Sequence, residues 1–96
     1  MRVGLYILPW SCWNHPIALP PGAVIRAVGA YDGQATLFVE ENVNAMPHVT
    51  RRFSVLDVGS PMPNDLLYVG AAIGVDLVFH STIAKFVYEH PQGDMK

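Results

Sequence analysis

Apolar and polar residues alternate along much of the chain, which predicts β-strands. The segment 34–40 alternates most clearly: one face holds Ala35, Leu37 and Val39, and the other holds Thr36, Phe38 and Glu40. A period of two residues indicates a strand that buries one face. Eight prolines and eight glycines interrupt the windows in which a helix would grow. The pattern therefore predicts an all-β fold.

Local signals place the first strands. Asp32-Gly33 predicts a two-residue hairpin turn between strands 23–31 and 34–40, because this dipeptide tolerates positive φ angles. Val49–Val58 predicts the next strand. Its alternation changes phase, which indicates either a bulge near Leu56 or a strand buried on both faces.

The second half of the chain predicts shorter elements. The segment 59–65 contains two prolines and predicts a rigid loop. Two short strands are expected at Leu66–Gly70 and Leu77–His80, joined by a hairpin or bulged bend over 71–76. Together these elements predict a small antiparallel β-sandwich or partly open barrel of six to seven strands, forming one domain over residues 1–96.

The pattern is less clear in the N-terminal third and in the C-terminal tail of the chain. Residues 9–16 are predicted to form an aromatic loop bounded by prolines. Residues 82–96 are predicted to form a C-terminal arm, with a strand or irregular conformation favoured over a short helix. The last residues, 92–96, are expected to be flexible.

Composition and charge point to self-association. Apolar residues make up 51% of the chain and charged residues only 15%, against about 25% charged in an average domain. With so few charges, a monomer would expose a large apolar patch, and such patches usually mark interfaces. The net charge of −2 argues against general nucleic-acid binding and against an anionic membrane surface. Because so few charged residues are available to cover the apolar surface, we expect a homo-oligomer.

Cysteine content and apolar runs predict a soluble, cytoplasmic protein. Cys12 is the single cysteine, so no internal disulfide forms, as is typical of a reducing compartment. The apolar run Val3–Leu8 is too short for a signal peptide and ends at Pro9.

Arg51 and Arg52 are adjacent, so in a strand their side chains point to opposite faces. One of them shares the apolar side with Val49 and Phe53, where a guanidinium needs a partner. The possible partners are a structural ion pair, a subunit interface, or an anionic ligand or acidic protein surface. The carboxylates considered for an ion pair are Asp57, Asp65 and Glu40.

Trp10 and Trp13 lie in the proline-bounded segment 9–16. The two rings are expected to fold back onto the sheet, to anchor a protein interface or to stack on a nucleobase. Tryptophan is enriched in binding hot spots. Together with Arg51 and Arg52, the tryptophans form the predicted ligand- or partner-binding set.

No group of residues has the spacing of a catalytic or metal site. Ser60 is followed by a proline and not by a helix, so it does not match the nucleophile elbow that would pair it with His80. Cys12 and His15 supply two ligands where zinc needs three or four. We therefore predict no enzyme activity, no cofactor and no metal.

Several segments carry a resemblance to known sequences. They are Leu19-Pro20-Pro21-Gly22-Ala23-Val24-Ile25, Arg52-Phe53-Ser54-Val55, Val58-Gly59-Ser60-Pro61-Met62-Pro63, Leu67-Tyr68-Val69-Gly70 and Leu77-Val78-Phe79-His80, with the Asp-Gly hairpin between the first two. Over Leu19–His80 the chain is similar to a domain-of-unknown-function family of short bacteriophage and prophage proteins. The resemblance implies a viral or prophage origin, and with it a location in the host cytoplasm, and it supplies no activity. The segment before Leu19 and the arm after His80 are expected to be additions to that family.

Small size, the expected oligomer and the arginine–tryptophan set favour a non-enzymatic binding protein. It is expected to blunt a host defence, either by sequestering a small nucleotide-like signal or by capping a host protein. A structural role in the virion, as a decoration or joining protein, is the alternative. An enzyme with an unrecognised site is the third possibility.

Overall fold

Seven β-strands form the part of the chain that the structure, a computed structural model, describes: residues 1–31, 34–61, 64–76 and 81–91. In chain order they are β1 (Arg2–Leu8), β2 (Cys12–Leu19), β3 (Val24–Tyr31), β4 (Gln34–Glu41), β5 (Val49–Asp57), β6 (Leu67–Asp76) and β7 (Ser81–Glu89). These residues contain no helix of the length and hydropathy needed to cross a membrane.

The strands form two antiparallel sheets. One sheet has three strands in the order β1-β4-β3, and the other has four in the order β2-β5-β7-β6. The Cα atoms of β3 and β6, which belong to different sheets, approach within 8 Å. This arrangement confirms the predicted all-β fold as a small sandwich.

The predicted hairpin is formed by β3 and β4. Its register starts with Tyr31 opposite Gln34 and shifts once, between Ile25 and Ala27. The turn Asp32-Gly33 lies outside the described residues. As the alternation predicted, one face of β4 is fully buried, through Ala35, Leu37 and Val39.

β5 is buried on both faces at its centre, where Phe53, Ser54 and Val55 follow one another. Its pairing with β7 runs without a shift from Phe53 to Asp57. The bulge predicted near Leu56 is therefore wrong, and the alternative of a strand buried on both faces is confirmed. The reason is that β5 is an inner strand, flanked by β2 and β7.

The second half of the chain contains one long antiparallel pair. β6 runs unbroken over Leu67–Asp76, so the bend predicted over 71–76 is wrong. Pairing with β7 satisfies the backbone along this segment, which outweighs the weak turn signal of Gly74. β7 confirms that this part of the C-terminal arm is a strand. The predicted strand Leu77–His80 and the tail 92–96 lie outside the described residues.

The N-terminal segment joins the two sheets. Residues 9–11 connect β1 to β2, and residues 12–16 belong to β2, so the aromatic loop predicted over 9–16 is wrong for most of its length. Pro16 is tolerated because β2 is an edge strand. The strand is irregular at Asn14, whose φ is 56°.

The hydrophobic core lies between the sheets. It consists of Leu8, Ile17, Leu19, Ala23, Ala35, Leu37, Val39, Phe53, Val55, Ala72 and Val87. A Cβ at Gly70 would lie 2.7 Å from Cγ2 of Val28. The missing side chain at Gly70 therefore lets β6 approach β3.

Candidate functional site

The four predicted binding residues are divided between the two sides of the four-stranded sheet. Trp10 packs against the core on the inner side, and Arg51 shares that side with the buried Phe53. Trp13 and Arg52 lie on the outer side, where both side chains are exposed.

Arg51 is held in a structural ion pair. Its Nε and Nη2 donate to the two carboxylate oxygens of Glu89 at 2.6 and 2.8 Å, and its Nη1 donates to the carbonyl oxygen of Ala23 at 2.7 Å. The hydrogen bonds to Glu89 raise the pKa of the Arg51 guanidinium. The two side chains are 20% and 14% exposed. The structure thus shows an ion pair, but with Glu89 and not with the carboxylates considered from the sequence.

Two of those carboxylates have other partners. Glu40 accepts a hydrogen bond from Nε of Arg26 at 2.8 Å, on the outer face of β4. Asp57 forms an ion pair with Lys85, whose ammonium group is largely buried. Glu40 and Asp57 are therefore not the partners of Arg51.

Trp10 folds back onto the sheet. It is partly buried against the core. The ammonium nitrogen of Lys85 lies 5.6 Å from the centroid of its ring, which is a cation–π geometry. A Cβ at Gly74 would lie 3.8 Å from the ring, so the indole also packs on the backbone of β6.

Trp13 has the opposite environment. It is 55% exposed, and its ring meets the ring of His90 edge-on, with centroids 4.9 Å apart and an interplanar angle of 87°. Ser54 is fully buried next to this pair. Its Oγ lies 2.7 Å from Nε2 of His90 and accepts a hydrogen bond from the Asn14 N–H at 2.9 Å. The irregular backbone of β2 is thereby anchored to β5.

Arg52 belongs to the same cluster. Its Nη1 donates to the carbonyl oxygen of Asn14 at 3.2 Å, and its own carbonyl oxygen accepts from the His90 N–H at 2.8 Å. Within the described residues, the bond to Asn14 is the one hydrogen bond of the Arg52 guanidinium. Since a guanidinium has five N–H donors, most of them remain available at the surface.

Two tyrosines extend the cluster across the sheet. Tyr88 lies opposite Ser54, and Tyr68 lies opposite Tyr88. Their rings meet edge-on, with centroids 5.6 Å apart, and Tyr68 is 62% exposed. We call the following five residues the aromatic face: Trp13, Arg52, His90, Tyr88 and Tyr68.

A cavity of about 340 Å³ opens beside the aromatic face, and His90 borders both. Its charged lining residues are Arg51 and Glu89, whose charges cancel. The other lining residues are Pro20, Pro21, Gly22, Val49, Leu67 and Pro91. A phosphate group in this cavity would compete with Glu89 for Arg51, so the cavity is not preorganised for an anion.

The Ser54–His90 contact does not form a catalytic site. Ser54 has no exposed surface, so a substrate cannot reach its hydroxyl. In the described ranges no carboxylate contacts His90 to orient the imidazole, as a catalytic triad requires. Ser60 lies in a turn in which its N–H donates to the carbonyl oxygen of Asp57 at 3.1 Å. His80 lies outside the described residues.

Cys12 is a partly buried free thiol, and burial raises its pKa. A raised pKa disfavours the thiolate, which is the reactive form. Across the part of the chain that the structure describes, no three His, Cys, Asp or Glu side chains are grouped so as to hold a metal ion.

A buried polar cluster links β1 to β4. The Glu41 side chain is fully buried, and it accepts hydrogen bonds from Tyr6 Oη at 2.5 Å and from Arg2 Nε at 2.9 Å. These hydrogen bonds, above all that from Tyr6, lower the pKa of Glu41. A Cβ at Gly4 would lie 2.5 Å from Oε2 of Glu41. The cluster is satisfied internally, so its role is structural.

A family model described as a domain of unknown function, DUF7352, matches residues 4–91. The chain belongs to the DUF7352 family. No curated protein and no solved structure matches it. The match is wider than the resemblance over 19–80 and includes β2 and β7. The expectation that these segments are additions to the family is therefore wrong.

In this DUF7352 chain, Glu89 was not predicted from the sequence as the partner of Arg51. His90, Tyr88 and Tyr68 were not predicted as neighbours of Trp13 and Arg52 either. The alternation of residues over 85–90 could have indicated these neighbours. Read as a strand, this segment places Lys85, Val87 and Glu89 on one face and Phe86, Tyr88 and His90 on the other.

Proposed function

We propose that this chain is a non-enzymatic binding protein of phage type that captures a protein partner through its aromatic face. The observation that carries the proposal is the exposed Trp13 beside Arg52, in a cluster held in place by Ser54 and His90. Tryptophan, tyrosine and arginine are the residues enriched in protein-binding hot spots.

A protein partner is favoured over a nucleotide-like signal. The Arg51 guanidinium is bound to Glu89, and the Trp10 ring packs on the core, so neither is free to grip a phosphate or a base. Trp13 and Arg52 instead lie on the open surface of a sheet. An open surface suits contact with another protein, whereas small ligands prefer concave sites.

The partner is proposed to be a protein of bacterial defence that this chain caps. The phage origin rests on the resemblance of 19–80 to short phage and prophage proteins. In this proposal the aromatic face covers a surface that the defence protein needs for its activity.

The double variant Trp13→Ala/Arg52→Ala tests the aromatic face. Immobilised wild type and variant are incubated with lysate of a bacterial host, and proteins enriched by the wild type are identified by quantitative mass spectrometry. The partner is then purified and its affinity measured by calorimetry. Loss of two hot-spot side chains is expected to weaken binding by about 100-fold or more.

Tyr31→Ala/Arg26→Ala is the matched control, since Tyr31 is 59% exposed and Arg26 is exposed on the other sheet. The control is expected to keep its affinity within about twofold. An affinity that survives the test variant, or that falls equally in the control, contradicts the proposal. A nucleotide-sized adduct, found by native mass spectrometry and retained by Trp13→Ala/Arg52→Ala, would support sequestration of a signal instead.

A virion role is the second candidate. It is favoured by the apolar outer side of β1, where Val3, Leu5 and Ile7 are exposed, because lattice proteins need a second interface. Stoichiometric copies of the chain in purified particles are expected in that case, and its absence from particles would exclude the role.

A further inference from the structure

The edge strands of the two sheets differ in their protection against pairing. A free edge exposes unpaired N–H and C=O groups, and proteins protect it with bulges, prolines or charges. β2 is irregular and carries Pro16. β3 is bulged around Arg26, and β6 is bulged between Tyr68 and Gly70.

β1 lacks each of these protections. Its register with β4 runs unshifted over Arg2–Leu8, and the strand contains no proline. Its one charged residue, Arg2, is bound to Glu41 of the same chain. Its outer face consists of three exposed apolar residues: Val3 (67% exposed), Leu5 (47%) and Ile7 (47%).

We propose that β1 pairs antiparallel with β1 of a second copy of this chain, across a two-fold axis near Leu5. The pairing joins two three-stranded sheets into one sheet of six strands. On the outer face Leu5 lies opposite its own copy, and Val3 lies opposite Ile7 of the second copy. Such apolar cross-strand pairs stabilise antiparallel sheets.

The charges around β1 favour a second copy as the occupant. A two-fold interface brings a surface into contact with the identical surface of the second copy. Any net charge on it would therefore face a charge of the same sign and be repelled. Here Arg2 is paired with Glu41, and Arg26 is paired with Glu40. The surface is therefore locally neutral and complements itself. A pair of seven-residue strands lies at the small end of interface sizes, so the dimer is reversible.

This interface is separate from the aromatic face, which lies on the four-stranded sheet. A dimer formed through β1 leaves both aromatic faces free, so it presents two binding surfaces to a partner. Failure of either proposal leaves the other unaffected.

Leu5→Lys tests the pairing by placing two like charges opposite each other at the two-fold axis. The dimer dissociation constant, measured by sedimentation equilibrium, is expected to rise by about tenfold or more. Ile73→Lys is the matched control, since Ile73 is a 57% exposed apolar residue on the edge strand β6. The control is expected to dimerise like the wild type. Circular dichroism checks that both variants are folded.

A mixed sample sharpens the test. Leu5→Lys and Leu5→Glu are each expected to be monomeric, and a one-to-one mixture is expected to restore the dimer. In the wild type, hydrogen exchange is expected to slow in β1 as the protein concentration rises, which requires no variant.

Three results would overturn the proposal. They are a wild type that stays monomeric at its highest soluble concentration, a dimer that survives Leu5→Lys, and a mixture of opposite charges that stays monomeric. The first result would also leave a foreign strand as the candidate occupant of the β1 edge.

Discussion

Arg51 and Arg52 are adjacent in β5, yet their surroundings on the two sides of the sheet are opposite. Arg51 makes three hydrogen bonds to Glu89 and Ala23 and is largely covered. Among the described residues, the Arg52 guanidinium donates one, to Asn14, and it lies at the surface. Trp10 and Trp13 are divided in the same way, the first packed on the core and the second exposed.

The two carboxylates at the end of β4 repeat this division. Glu41 is buried in hydrogen bonds from Tyr6 and Arg2, whereas Glu40 is partly exposed and pairs with Arg26. In each case the inward side chain is satisfied within the fold, and the outward one stays accessible. The comparison shows that residue type identifies candidates for binding, while the face of the strand decides which of them is available.

The largest difference is expected between Arg51→Met and Arg52→Met. Removing Arg51 leaves Glu89 and the Ala23 carbonyl oxygen without their partner in a partly buried site. The free energy of unfolding is expected to fall by about 3 kcal/mol. Arg52→Met is expected to lower it by less than about 0.5 kcal/mol. Urea unfolding followed by circular dichroism measures both, and equal losses would break the distinction between the faces.

A smaller difference is expected between two glycines. A Cβ at Gly70, on the inner side, would meet Val28 at 2.7 and 3.0 Å, so Gly70→Ala is expected to destabilise the protein by about 2 kcal/mol. A Cβ at Gly29, on the outer side, would lie 3.2 Å from the edge of the Phe38 ring. The ring can shift toward solvent, and alanine reduces the entropy of the unfolded chain, so the change at Gly29 is expected to be below about 1 kcal/mol. Thermal unfolding of both variants is the measurement, and a Gly70→Ala protein as stable as the wild type would contradict the close approach of the sheets.

The smallest effect is expected for Glu41→Gln, and it depends on pH. Hydrogen bonds hold the pKa of Glu41 below its ordinary value of 4.5, so the ionised carboxylate stabilises the folded state above that pH. At neutral pH the variant is expected to be less stable by about 1 kcal/mol, since glutamine keeps an acceptor for Tyr6. The difference from the wild type is expected to shrink as the pH falls through the lowered pKa.

Glu40→Gln is the control for this titration. Its ion pair with Arg26 is exposed, so the loss is expected to be below about 0.5 kcal/mol at neutral pH. Urea unfolding at a series of pH values compares the two variants. A Glu41→Gln difference that persists unchanged into acid would contradict the role of the ionised carboxylate.

Strand alternation predicted the fold class and the β3–β4 hairpin because their signals are local. The wrong predictions concern segments in which a tertiary contact outweighed a local sequence signal. Pairing with β7 keeps β6 extended across Gly74, and β2 can contain Pro16 because it is an edge strand. Half of the candidate site was predictable. Trp13 and Arg52 were predicted, whereas His90 and Tyr68 were not, because Tyr68 lies in β6 and His90 directly follows β7, and the sequence does not show how these strands pair.

By itself, the sequence determined that this chain is a small all-β domain. It also determined that Arg51 and Arg52 point to opposite faces, because a strand repeats every two residues. The tertiary structure alone decided which arginine is largely covered, that Glu89 is its partner, and that Trp10 packs inward. The physical reason is that Arg51 and Glu89 are 38 residues apart. Contacts at such a separation depend on the order and register of the strands, which local propensities do not contain.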